Sequence, residues 1–237
     1  MAASGTYTWS PELVEVYDEA FERCGIDLTT LTVRHLRAAR RSMEFMLSEW
    51  SNLGIFLWAV DQQTVTLTQA TTTYATPTGT TAILDMVLRR GTPALDVNIF
   101  PMQRDEYLAI PAKTQQGMPS RYYFDRGITT ASSPVVAGAT GPTITLWSAP
   151  ENSTDIMIYY RMRRLQDAGI ATNTADAPYR FQEALCCGLS ARLAVKFAPD
   201  REGALAAKYQ MALSQAKQED RQRSPTTFRM AYSGRGR

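Results

Sequence analysis

The chain has 237 residues, 44% of them hydrophobic and 20% charged, with a formal net charge of +2 at pH 7. It is long enough for one well-cored domain, or for a domain with a substantial insertion, and too evenly charged to bind polyanions by composition alone. Three cysteines, Cys24, Cys186 and Cys187, two of them adjacent, do not form a secreted disulfide framework and read as reduced, buried small side chains.

The opening "MAASGTYTWSPEL" has neither a basic segment nor an apolar core, so it does not read as a signal peptide. The longest strongly apolar run, 53–60, is too short to span a bilayer, and the chain reads as soluble. The first helix begins near Pro11, with Ser10 as its expected cap and Glu12 and Glu15 at the positive end of its dipole. Leu13, Val16, Tyr17 and Ala20 form its apolar stripe, and Gly25 is placed to end it. A second helix is expected over 31–53, where Leu36, Ala39, Met43, Met46, Trp50 and Leu53 keep three-four spacing. Arg34, Arg37, Arg40 and Arg41 fall away from that seam. They make a solvated surface, or a face turned toward DNA or toward an acidic neighbouring subunit.

From Gly54 to about Arg164 the period changes to two. "TVTLTQ" (64–69) and "RYYFDRG" (121–127) read as strands, "AILDMVLRR" (82–90) as a strand or short helix, and "RDEYLAIP" (104–111) as a helical turn or two. "ITLWSAPENSTDIMIYYRMRRL" (144–165) reads as a β-hairpin around the turn chemistry of "SAPENSTD". In its second strand Ile156, Ile158, Tyr160 and Met162 face one way and Met157, Tyr159, Arg161 and Arg163 the other. Helices resume at Pro178. Phe181, Leu185, Leu189, Leu193 and Phe197 recur every four residues, beside a line of small side chains: Ala184, Cys187, Gly188, Ala191 and Ala194. Small residues at that spacing let another helix approach closely. Asp200 is expected to cap a last helix running to about Asp220, with Leu205, Tyr209, Ala212, Leu213 and Ala216 inward. The remainder, "RQRSPTTFRMAYSGRGR", has five arginines and no acid, and reads as an extended tail that orders on a partner.

The expected fold is mainly α with a β insertion. Two N-terminal helices (1–54) and two C-terminal helices (166–220) make an antiparallel bundle, which carries a small antiparallel β module (55–165) and an extended basic tail (221–237).

Chemistry is sparse. The lone histidine, His35, sits among arginines, and no G-x-S-x-G, Walker or dinucleotide glycine motif accompanies it. It reads as a helix-surface residue. Cys186 and Cys187 project about 100° apart on a helix, which makes no zinc knuckle with one histidine. No catalytic, cofactor or metal residues are assigned. The enzymatic option left is a pair of carboxylates, Glu15 with Glu19, Asp18 with Glu22, or Asp105 with Glu106, as a peptidoglycan hydrolase would need. A non-specific DNA-binding protein is the other alternative. Trp58, Trp147, Tyr159 and Tyr160 read as core or interface residues.

The order of elements, with "LWSAPENSTDIMIYYRMRRLQDAG" leading into "PYRFQEALCCGLSARLAVKFAPD", resembles the head-to-tail adaptor proteins of tailed bacteriophages, most closely those of short-tailed phages. In that family a strand with a "W/Y-x-A/P-P" ending leads through a turn to a "YYR" strand and then to a helix of the "P-x-x-F-x-E-A-L-x-x-G-L-A-A-R-L-A" type. The resemblance implies a non-enzymatic virion protein of the neck, made in the host bacterial cytoplasm. It implies a ring, usually of twelve copies, that joins the portal to tail or nozzle proteins and helps retain packaged double-stranded DNA by non-specific contact, without a cofactor or a membrane. On that reading Arg221, Arg223, Phe228, Arg229 and Tyr232 contact the portal, Arg34, Arg37, Arg40 and Arg41 face the DNA channel or the next subunit, and Ala184, Cys187, Gly188 and Ala191 serve helix packing.

Overall fold

A computed structural model describes residues 5–6, 9–53, 57–127 and 141–220. Helix α1 spans Leu13–Cys24, and Leu13, Val16, Tyr17, Ala20, Phe21 and Cys24 are its buried side. Its cap is Glu12, not Ser10. Glu12 and Glu15 form a reciprocal capping box, and the carbonyls of Asn173 and Ala171 take the Leu13 and Val14 N–H groups at 2.8 and 2.9 Å. A distant loop thus satisfies donors that a helix start leaves open, and moves the start inward from Ser10. Gly25 ends the helix at φ 75°, the left-handed conformation that a glycine takes without a Cβ penalty.

Helix α2 spans Val33–Leu53. Ala39, Met43, Met46 and Trp50 are buried as their spacing predicts, but Leu36 and Leu53 are 39% exposed, while Ala38, Ser42 and Leu47 are buried. The buried stripe is broader than a coiled-coil seam because the helix packs in a globular core.

The middle of the chain folds into strands β1 (Val60–Thr66), β2 (Thr73–Ala75), β3 (Thr80–Arg90), β4 (Leu95–Asn98) and β5 (Phe100–Pro101), then helix α3 (Arg104–Ala109). Strands β6 (Gln116–Gly117), β7 (Arg121–Asp125), β8 (Thr143–Trp147), β9 (Ala149–Pro150) and β10 (Ile156–Arg163) follow. One four-stranded sheet has the order β1-β10-β3-β4 and a second β2-β8-β7-β5, with β6 and β9 as a separate pair. The β5–β7 and β6–β9 pairings are parallel. The fold is therefore mixed α/β, with mixed sheets where a small antiparallel module was expected.

The hairpin over 144–165 does not form. Its two halves, β8 and β10, are central strands of different sheets, and β10 pairs antiparallel with β1 and β3. The reason is burial: Thr143 to Leu146 are buried throughout, as are Met157, Ile158 and Tyr159, so each strand needs covered faces that a two-stranded ribbon cannot supply. The connection is fastened instead. Asn152 accepts the Thr154 and Asp155 N–H groups at 3.0 Å, and Arg90 at the end of β3 pairs with Glu151 and Asp155. The inner faces of both sheets meet in one cluster, with Met86, Leu88, Met157 and Tyr159 from the first and Tyr122, Ile144 and Leu146 from the second.

After β10, Pro178 opens a 3-10 turn, Tyr179–Phe181, that runs into α4, Gln182–Phe197. Another turn, Pro199–Arg201, leads into α5, Glu202–Glu219. Asp200 lies inside that turn and makes no capping bond, because the turn already supplies the first helical geometry. Helix α4 packs against α1, α2 and α5. Nine of its residues are buried, from Ala184 to Ala194, as befits a helix enclosed on several sides. Trp50 of α2 donates its indole N–H to Tyr209 Oη of α5 at 2.9 Å across this core. No helix among the described residues is long and apolar enough to cross a membrane.

Candidate functional site

Two charged surfaces stand out. The first is on α2. Arg34, Arg37, Arg40 and Arg41 are all exposed, and none has an ion pair among the described residues. With Val33 and Glu44 they line a surface concavity of about 720 Å³. Like charges three and four residues apart cost a few tenths of a kcal/mol per pair, roughly. No acid in the first turn of α2 offsets them against the helix dipole. The positive region extends onto α4. Burial first, then the charges of Arg41 and Arg192, hold the Lys196 ammonium below its ordinary pKa. Phe45, one turn beyond Arg41, is 65% exposed on the same helix. The only sequence signal for it is an aromatic side chain lying off the apolar seam.

His35 is committed elsewhere. Its Nδ1 accepts the Thr32 N–H at 3.1 Å, closing the first turn of α2. Its ring packs edge-on to Phe197 and Phe21, with centroids 4.8 and 5.9 Å away. It is a half-buried structural residue, more embedded than a plain helix-surface position.

The second surface is a groove of about 660 Å³ between α1 and the start of α4, lined by Trp9, Asp18, Glu19, Glu22, Tyr179 and Glu183 among others. Trp9 and Tyr179 are 73% and 77% exposed. Of the carboxylates that the hydrolase alternative would pair, Glu15, Glu19 and Glu106 are engaged elsewhere. Glu15 accepts the Glu12 N–H at 3.2 Å, and Glu19 pairs with Arg23 at 2.6 Å. Arg23 reaches across to Glu183 through two bonds of 2.9 Å. That guanidinium holds the Glu183 carboxyl below the usual carboxylate range, the wrong direction for a general acid. Asp18 and Glu22 have no ion pair among the described residues. Glu106 caps α3 by accepting the Gln103 N–H at 3.2 Å, beside Asp105 in the same first turn. Among the described residues no three His, Cys, Asp or Glu side chains gather as metal ligands.

Cys187 lies where Arg23 and Glu183 meet: Arg23 Nη1 donates to its Sγ at 2.9 Å, and the thiol donates to Glu183 Oε1 at 3.2 Å. Burial pushes the Cys186 and Cys187 thiols up to about 11. At pH 8 roughly one in a thousand of each would be thiolate. Iodoacetamide should therefore alkylate the folded chain at pH 8 on the order of 100-fold more slowly than the unfolded chain, read by mass spectrometry. The linked effect on stability has a definite sign. Unfolded thiols lose their protons first, so stability falls as pH rises from about 9 to 11.

The small-residue face is occupied within the chain. Ala184, Cys187, Gly188 and Ala191 are buried, and a Cβ on Gly188 would stand 2.5 Å from Met46 Sδ and 2.8 Å from Tyr209 Cε2. The aromatics divide. Trp58 packs tilted against Phe181, with ring centroids 4.5 Å apart, and donates to the Asp176 carbonyl, Trp147 donates to the Ala112 carbonyl, and Tyr159 is buried while Tyr160 is 45% exposed. Arg221, Arg223, Phe228, Arg229 and Tyr232 lie outside the described residues.

Two comparisons complete the picture. The family model described as SU10 adaptor protein matches residues 12–231. A search of curated proteins found no match.

Proposed function

The chain belongs to the SU10 adaptor protein family, phage adaptors with a structural role in the virion, and from that premise we propose that it forms a ring beneath the portal. The ring, dodecameric and most like those of short-tailed phages, joins the portal to the tail or nozzle proteins and helps retain packaged DNA through non-specific contact along its channel. The protein acts by assembly: many modest contacts, repeated around a closed ring, sum to a stable junction. The observation that carries this reading is the family match across 12–231, from the first helix into the arginine-rich segment. Two surfaces of opposite charge, each with side chains that have no ion pair among the described residues, are what an assembly subunit would present.

The basic segment after Asp220 is the portal contact in this account, with Arg221, Arg223 and Arg229 for charge and Phe228 and Tyr232 as anchors. Its removal should leave the fold intact. Helix α5 ends at Glu219, and Asp220 is held by Arg180. A chain ending at Asp220 is expected to unfold at the temperature of the full chain yet fail to co-sediment with portal rings. Equal portal binding by the two chains would overturn the assignment of that segment.

A further inference from the structure

Asp18 and Glu22 in the groove, and the four arginines of α2, are charges without ion pairs among the described residues. We propose that these two surfaces are halves of one contact. The groove between α1 and α4 receives the α2 face of a second copy of this chain, Phe45 seats against Trp9 and Tyr179, and Arg37 and Arg41 meet Asp18 and Glu22.

Three observations carry this. The patches have opposite sign, so contact relieves the repulsion stored along α2 and steers the approach of the partner. Both hold exposed aromatics, Phe45 at 65% on one side and Trp9 and Tyr179 at 73% and 77% on the other. Aromatic side chains with arginine are the residues that protein interfaces concentrate. Finally, the two patches are separate within the folded chain: the groove and the α2 concavity share no lining residue, and neither Asp18 nor Glu22 pairs with an α2 arginine among the described residues. A contact between two different patches is heterologous, and it propagates from copy to copy until the rotation closes a ring. Nucleic acid would use the arginines equally well, but would give Phe45 and Val33 no role.

This contact rests on the ring reading and deepens it by naming the touching faces. The test uses two full-length variants whose replaced residues have no ion pair to lose: Asp18→Lys with Glu22→Lys, and Arg37→Glu with Arg41→Glu. Sedimentation velocity into the millimolar range should show self-association of the unaltered chain, weakened on the order of 100-fold in each variant alone. An equimolar mixture of the two should associate again, because in alternating copies the natural basic face meets the natural acidic groove and the reversed acidic face meets the reversed basic groove. The proposal falls if the unaltered chain stays monomeric, if either variant associates like it, or if mixing restores nothing. It also falls if Arg37→Glu with Arg41→Glu spares self-association and abolishes salt-sensitive binding to duplex DNA, which makes the face a phosphate surface. Failure here, with the chain still present in particles, removes this contact and leaves the adaptor role standing.

Discussion

Gly188→Val is expected to destabilise the chain by about 3 kcal/mol or more. Gly188 lies at the centre of α4, where α2 and α5 close in from two sides. A Cβ there would meet Met46 Sδ at 2.5 Å and the Tyr209 ring at 2.8 and 3.0 Å. Met46 can bend away, but Tyr209 is pinned by the indole N–H of Trp50. Relief must come from moving a helix. For a chain of this size that loss lowers the melting temperature by roughly 6–12 °C, read by calorimetry. Gly203 is the internal control. Nothing lies within 4 Å of a Cβ built on it, and it sits within α5. Gly203→Ala should stabilise by about 0.5–1 kcal/mol from helix propensity alone. Equal and small effects at both positions would mean that α2, α4 and α5 do not pack as described.

The second large effect is in the β region. Arg161 is 7% exposed in the middle of a sheet, and Asp61 on the neighbouring strand takes its guanidinium through bonds of 2.6 and 2.9 Å. Thr80 Oγ1 accepts a further bond at 2.9 Å and the Pro77 carbonyl another at 3.2 Å. Asp61→Ala leaves this guanidinium buried without its counter-charge, at a cost of about 3 kcal/mol. The lower end of the range applies because the Asp61 side chain is 37% exposed and admits water. Arg161→Met removes the charge itself and should cost less. The double variant should be more stable than Asp61→Ala alone, so a double-mutant cycle reads the coupling directly. Additive losses would show that the pair is not coupled.

Much of the helical part was legible because its signals are local. Gly25 and Pro178 punctuate, and Leu13, Val16, Tyr17 and Ala20, or Met43, Met46 and Trp50, repeat at a period that only a helix satisfies. The N-terminal caps were not legible. Ser10 is the better cap residue by type, yet the cap is Glu12, because carbonyls of residues 171 and 173, which no local window contains, take the Leu13 and Val14 N–H groups. Strand existence was readable from alternation, but pairing was not. Chain neighbours suggest a hairpin, whereas β10 lies between β1 and β3, far away in sequence, because its two faces need cover. The surfaces divide the same way. The arginine face of α2 follows from helical spacing on one element. The acidic groove does not, because Trp9, α1 and Tyr179 meet only after the chain has folded.

The central claim is that this chain is a stoichiometric part of the virion neck. Quantitative mass spectrometry of purified particles, taking the copy number of this chain against that of the portal subunit, tests it most directly. The account predicts a ratio near one to one, as a ring matched to the portal requires. Particles that carry the portal and tail but lack this chain would contradict it.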